Sequence, residues 1–253
     1  MLDKTTTRRT ALIIGAAGGI CSALSRKLAE RRERLVLFDR DNARVKELAA
    51  ELAELTDVRV IVGDIMDVPE TERQLSDLTG EWAPTILVNG TGGDTRVLPV
   101  TELDEDFLRA SVAENLVPVL TAVRLCVPAM KEAGYGRIVN FTSAGGRTYS
   151  HFNNAAYVAA KAGVIGFTKQ TAYELAPHGI TVNTVAHGPI ATDRVAGAWE
   201  RRPEEQKEAV LSKIPMRRMG TVAEAVGSVL HLTSEDSGYS TGAVIDINGG
   251  IWI

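Results

Sequence analysis

The chain has 253 residues, 45% of them hydrophobic and 24% charged, which is ordinary globular composition with enough apolar side chains to bury a large core. Disordered and fibrous classes are excluded, and the length allows one or two domains, with α/β folds reaching it as one. Lys and Arg number 28 against 32 Asp and Glu, so a net charge of −4 gives no electrostatic reason to expect nucleic acid or an anionic membrane.

Short aliphatic and β-branched runs alternate with longer helical patterns from end to end, the signature of repeated βαβ units around a parallel sheet. Seven runs read as strands, at 11–14, 35–38, 58–62, 86–88, 137–141, 181–186 and 243–247, most of them apolar throughout as strands buried on both faces must be. After the first, Ile20, Leu24 and Leu28 recur with helical spacing and charges opposite, and Val45, Leu48, Leu52 and Leu55 repeat the pattern after the second. A helical stretch over 104–130 is interrupted by Pro118, and another over 154–175 is closed by Gly179. Between 188 and 218 the chain reads as irregular apart from a charged helical segment at 204–211, and Thr221 with Glu224 forms a capping box that starts the last helix. No linker, repeat or low-complexity tract divides the chain, so one domain over 1–253 is expected, with 1–9 flexible.

Two cysteines, Cys21 and Cys126, are too few for a disulfide framework or a zinc cluster; a reducing compartment and no metal site are expected. No stretch approaches the ~20 apolar residues of a membrane span, and Met1 to Arg9 lacks the apolar centre of a secretion signal. These readings make the cytoplasm the expected location, with small molecules and other protein chains as partners.

The first strand runs directly into Gly15-Ala16-Ala17-Gly18-Gly19-Ile20-Cys21 and then a helix. Glycines there let the backbone approach a pyrophosphate, and the helix N-terminus offers it free N–H groups and the positive end of a dipole, although such a cluster also serves as a simple tight turn. The second strand ends in Asp39, where a carboxylate can accept hydrogen bonds from ribose hydroxyls. Tyr157 and Lys161, in Tyr157-Val158-Ala159-Ala160-Lys161, share one helix face at i and i+4, and Ser143 stands upstream at the end of a buried strand.

With that constellation, and with Asn183, Gly188, Pro189, Thr192 and Thr241-Gly242 following in order, the chain resembles the short-chain dehydrogenase/reductase family in its single-domain branch, over nearly its whole length. The resemblance implies a Rossmann-like three-layer α/β/α sandwich with a seven-stranded parallel sheet. It also implies a hydride transfer between a nicotinamide cofactor and a secondary alcohol or ketone, chemistry on CH–OH groups. Tyr157 would be the general base or acid, Lys161 would lower its pKa and hold the nicotinamide ribose, and Ser143 would hydrogen-bond the substrate oxygen. Asn115 would hold a water in a proton relay behind the lysine. Cofactor contacts are implied at Gly15, Ala17, Gly18, Gly19, Ile20, Asp39, Arg40, Asp64, Ile65, Asn89, Gly90, Tyr157, Lys161, Gly188, Ile190 and Thr192. Around the substrate the family places Ser143, Arg147, His151 and His187, and the 188–218 loop, with Arg194, Trp199, Arg201 and Arg202, acts as a lid in relatives.

Four positions depart from the family pattern. Ile14 replaces the usual Thr, Cys21 the third glycine, Gly90 the second Asn after the fourth strand, and His187 the Pro before Gly188. Ala16 and Ala17 offer no cation to a 2′-phosphate and Asp39 repels one, so NAD is expected over NADP, with Arg40 the single feature favouring the phosphate. NAD-linked oxidation of a polar alcohol such as a sugar, polyol, hydroxy acid or sulfonate is the leading expectation. A ketone reductase like the 3-oxoacyl carrier-protein reductases is the second, and a non-catalytic dinucleotide-binding sensor or structural partner the third. Apolar residues around the 154–175 helix and the tail Ile251-Trp252-Ile253 suggest further burying surfaces, and a homotetramer is expected.

Overall fold

In the computed structural model, which describes residues 8–93 and 96–252, strand β1 (Thr10–Ile14) leads into helix α1 (Gly19–Glu30), and the alternation continues through β2 (Arg34–Asp39), α2 (Asn42–Leu52), β3 (Val58–Val62), α3 (Val68–Ser76) and β4 (Ile86–Asn89). Two helices, α4 (Glu105–Asn115) and α5 (Val117–Ala133), precede β5 (Gly136–Ser143), a short α6 (Ala144–Arg147) and the long α7 (Ala155–Leu175). The remainder is β6 (Ile180–His187), α8 (Asp193–Glu200), α9 (Glu204–Leu211), α10 (Val222–Leu232) and β7 (Val244–Ile247). All pairings are parallel, in the order β3-β2-β1-β4-β5-β6-β7. The chain leaves β3 at one edge and re-enters beside β1, so β1 and β4 are neighbours and the strand order reverses between them. In open α/β sheets the crevice outside the carboxyl ends at such a switch point is where ligands bind.

Alternate strand residues face two cores. Ile13, Leu37 and Val88 pack against Leu24 and Leu28 of α1, Val45 and Leu48 of α2 and Val229 of α10. Leu12, Val36 and Leu87 pack against Leu75 of α3, Val123 and Met130 of α5 and Leu175 of α7. The three-layer α/β/α sandwich expected from the sequence is therefore the fold.

Thr221 and Glu224 form the expected reciprocal cap. The 104–130 stretch breaks at Leu116, whose φ and ψ are −115° and −48°, and Pro118 lies in the first turn of α5, where a missing N–H costs nothing. Residues 105–133 are nonetheless long and apolar enough, by length and composition, to cross a membrane, contrary to the expectation that no such stretch exists. Their inner face, with Val119, Ala122, Val123, Cys126 and Met130, is buried in the domain instead.

Three helices go beyond the sequence expectations: α3 is capped by Asp67, whose side chain accepts the Glu70 N–H, the short α6 follows β5, and α8 occupies part of the segment expected to be irregular. A single bridge between Ile190 and Gly220 closes that segment at its base, with the Ala191 N–H on the Gly220 carbonyl at 2.9 Å. Within the stretch expected to be flexible, Arg8 bonds Asp57 and the Arg32 carbonyl, and the Arg9 N–H donates to Glu33; residues 1–7 lie outside the described residues.

Candidate active site

The carboxyl ends of β1, β4, β5 and β6 open into a cleft of about 890 Å³. At one end lies the glycine turn. Gly15, at φ +78°, directs its N–H and that of Ala16 to the Phe38 carbonyl at 2.9 and 3.1 Å, which folds the turn back against β2. Asp39 then fastens it: one carboxylate oxygen accepts the Ala17 N–H at 2.8 Å, the other the Asp41 N–H at 2.9 Å. α1 starts at Gly18 with no side chain capping it and no acid in its first turn, leaving its positive end open. A Cβ on Gly19 would meet the Thr192 side chain at 3.1 Å, a tight contact that glycine avoids. A folded glycine turn, an unscreened helix N-terminus and a strand-end carboxylate fit the pyrophosphate and ribose of a dinucleotide.

In the middle of the cleft stand Ser143, Tyr157 and Lys161. Ser143 closes β5 and caps α6, accepting the Gly145 N–H at 3.2 Å, which leaves its own hydroxyl hydrogen to donate. The Asn154 side chain caps α7 by accepting the Tyr157 N–H at 2.9 Å, fixing the turn that carries the phenol. Lys161 is buried, its Nζ donating to the main-chain carbonyls of Thr91 at 3.2 Å and Phe141 at 3.1 Å, and it lies 5.8 Å from the Tyr157 ring centre. Burial pushes its pKa down to about 8. A partly charged ammonium held beside a phenol is an arrangement able to move a proton near neutral pH.

Asn115 lies behind this group and does not line the cleft. Fully buried, it donates to the Ser111 carbonyl at 2.9 Å and accepts the Gly93 N–H at 3.0 Å, so the amide is satisfied on both sides and ties α4 to the loop after β4. A Cβ at Gly92 would lie 3.8 Å from Asn115 Oδ1 and 3.9 Å from Lys161 Nζ, which puts both groups against the same short stretch. Asn89 also turns inward, donating to Asn140 at 2.8 Å, while Gly90 reaches the cleft wall. Gly188, Ile190 and Thr192 line it as expected. Asp39, Arg40, Asp64 and Ile65 are outside that lining, grouped beyond the ends of β2 and β3; Asp64 and Arg40 are exposed and Ile65 is buried.

The expected substrate residues divide. His151, His187 and Trp199 line the cleft. Arg147 does not: it pairs with Asp246 of β7 at 3.2 Å. The side chain of Arg194 lies outside the described residues. His187 stands opposite Ser143 in the β5–β6 register, its ring edge-on to Phe141 at 4.8 Å, and its Nε2 is buried with no partner. Burial holds its pKa down to about 4, so the imidazole is neutral at physiological pH. Besides the polar Ser150, Asn153 and Arg202, the cleft is lined by Phe152, Val210, Met219 and Ile251, which sequence reasoning missed. Their signal was weak, because each comes from a different loop or helix and only the fold brings them together.

Residues 15–251 match the family model for Enoyl-(Acyl carrier protein) reductase. The chain is 34% identical over 244 residues to the 3-oxoacyl-[acyl-carrier-protein] reductase FabG of Rickettsia bellii, covering 96% of each chain. It is 31% identical over 252 residues to the acetoacetyl-CoA reductase of Allochromatium vinosum, covering 97% of this chain and 99% of that one. Among solved structures, a 3-oxoacyl-[acyl-carrier protein] reductase with bound NAD from Brucella melitensis superposes with a TM-score of 0.84 at 33% identity, over 97% of this chain and 91% of that chain. The chain belongs to the short-chain dehydrogenase/reductase family and is a nicotinamide-dependent oxidoreductase.

Proposed function

We propose that this member of the family reduces the keto group of a 3-oxoacyl thioester. The observation that carries the reading is one cleft lined by Ser143, Tyr157, Lys161, the open glycine turn and the apolar Phe152, Val210, Met219 and Ile251. The relatives named as 3-oxoacyl and acetoacetyl reductases support it over the oxidation of a polar alcohol that the sequence put first. A non-catalytic binding role is disfavoured because it has no chemical need for a phenol, a buried ammonium and a hydroxyl on one cleft. Bound nicotinamide would supply the hydride to the keto carbon. Ser143 holds the keto oxygen by a hydrogen bond, and Tyr157 gives it a proton as charge develops there. Lys161 keeps the resulting phenolate favourable and, through its ammonium, orients the cofactor ribose. The purified protein should reduce acetoacetyl-CoA at least about tenfold more efficiently, by kcat/KM, than it oxidises xylitol or gluconate. The reverse ranking would return the polar alcohol to first place.

NAD is the cofactor we favour, on Asp39. Its carboxylate, held by two main-chain N–H groups, is fixed where a 2′-phosphate would have to sit, while Arg40 is exposed. Replacing Asp39 by Ser should shrink the preference for NAD over NADP by about tenfold or invert it, as judged from the KM for each cofactor. A wild-type protein that already prefers NADP would show that Arg40 dominates.

A homotetramer is the assembly we favour. One stripe of α7 packs inward through Ala156, Ala160, Val164 and Leu175, whereas Ala155, Ala159, Ala162 and Gly166 form an exposed stripe of small residues on another side. Ile251 lines the cleft and Trp252 is exposed; Ile253 lies outside the described residues. Light scattering at micromolar concentration should report a tetramer; a stable 27.2 kDa monomer would refute the assembly. Both cysteines are free and buried, which suits the reducing cytoplasm in which such an enzyme would work.

A further inference from the structure

Two of the four departures from the family pattern, Cys21 and Gly90, meet at the wall of the cleft, and a third, His187, is linked to them through Phe141. A Cβ built on Gly90 would overlap Cys21 Sγ, and it would stand 3.6 Å from Phe141, whose ring meets His187 edge-on at 4.8 Å. The fourth, Ile14, joins through its main chain: its carbonyl accepts the Gly90 N–H at 3.0 Å and would lie 3.2 Å from that same Cβ. The thiol thus fills the volume that any side chain at position 90 would need. Cys21 is 2% exposed and carries a neutral sulfur, so it acts through its volume rather than through charge or nucleophilic chemistry.

What this packing supports is the cofactor end of the cleft. The Gly90 carbonyl oxygen lies 3.2 Å from the Cβ position of Gly15, so the turn after β4 abuts the glycine turn directly. The next carbonyl, that of Thr91, is one of the two that hold Lys161 Nζ. A change of a few tenths of an ångström at Gly90 therefore moves both the pyrophosphate cradle and the lysine, because a close-packed interior transmits strain rather than absorbing it.

We propose that Cys21 is a positioning residue for the cofactor: its sulfur sets the height of the Gly90-Thr91 turn against the glycine turn, and position 90 must be glycine because position 21 is not. The inference rests on reading that turn as the dinucleotide cradle. It accounts for two departures that look independent in the sequence as one exchange of volume across the gap between α1 and β4.

The test is a double-mutant cycle read by cofactor affinity, from fluorescence titration with NADH and NADPH well below the melting temperature. Gly90→Ala should raise the dissociation constant at least about tenfold, and Cys21→Gly several-fold, while Cys21→Ser, which keeps most of the volume, should fall between Cys21→Gly and wild type. The double variant Cys21→Gly with Gly90→Ala should return to within about threefold of wild type, because the methyl enters the space the sulfur leaves. Should Gly90→Ala fail to fold alone, folding of the double variant with near-wild-type affinity carries the same support. Effects that multiply in the double variant, a double variant that does not fold, or losses of melting temperature with unchanged affinity would each overturn the inference. Wild-type protein that binds neither cofactor would overturn the cradle reading along with it, and that failure is distinct from multiplying effects in a protein that binds.

Discussion

Tyr157→Phe is expected to lower turnover by about 10²-fold to 10⁴-fold, the range typical of a lost general acid or base. The substitution removes one oxygen and keeps the ring. The Tyr157 N–H bond to Asn154 that fixes the start of α7 involves only main chain on the tyrosine side, so the turn is preserved. Lys161 keeps both of its carbonyl partners, which come from Thr91 and Phe141 and not from the phenol. Cofactor affinity should accordingly change little. The loss should appear in kcat, because in the proposed mechanism the hydroxyl is needed only when the keto oxygen takes up charge. Measured in both directions of the reaction, a variant with near-normal turnover would remove Tyr157 from the mechanism, whereas weakened cofactor binding with unchanged kcat would reduce it to a packing residue.

The strands were legible because both faces of the sheet are covered, which makes β1, β2 and β4 nearly uninterrupted aliphatic runs. Exact strand ends were less legible: the runs at 137–141 and 181–186 continue in paired register to Ser143 and His187, since the neighbouring ladder and not local propensity decides where pairing stops. α3, α6 and α8 have no clear sequence signal because each is short, and short helices draw their stability from tertiary packing that no window of sequence contains. The site divides the same way. Ser143, Tyr157 and Lys161, side chains marked by type and spacing, could be named in advance and are found on one cleft. The carbonyls that hold Lys161 are main-chain atoms and leave no mark in the sequence. Arg147 was assigned by position along the chain, but Asp246 on β7 offers it a closer partner than the cleft does, and that partner is visible only once β6 and β7 are paired.

Lys161→Met is expected to lower kcat/KM by at least about 10²-fold and, more tellingly, to change the shape of its pH dependence. Burial moves the lysine's pKa from 10.5 to about 8, so in the free enzyme the ammonium is largely present at neutral pH and is lost as pH rises through 8. The ratio kcat/KM reports the ionisations of the free enzyme, so reductive activity should fall above pH 8 as the charge that orients ribose and favours phenolate disappears. The sign for stability is opposite. A folded pKa below the unfolded one means the native state binds fewer protons between about 8 and 10.5, so this group's destabilising contribution is greatest below 8 and relieved as pH rises across that window. Wild-type protein should thus gain thermal stability from this group over the same pH interval in which it loses activity. In the Met variant the stability gain should vanish. The alkaline limb of activity at about 8 should vanish with it, since the group that carries it is gone. A variant that keeps the limb at 8 would assign that ionisation to another group and leave Lys161 only the role of holding the Thr91 and Phe141 carbonyls.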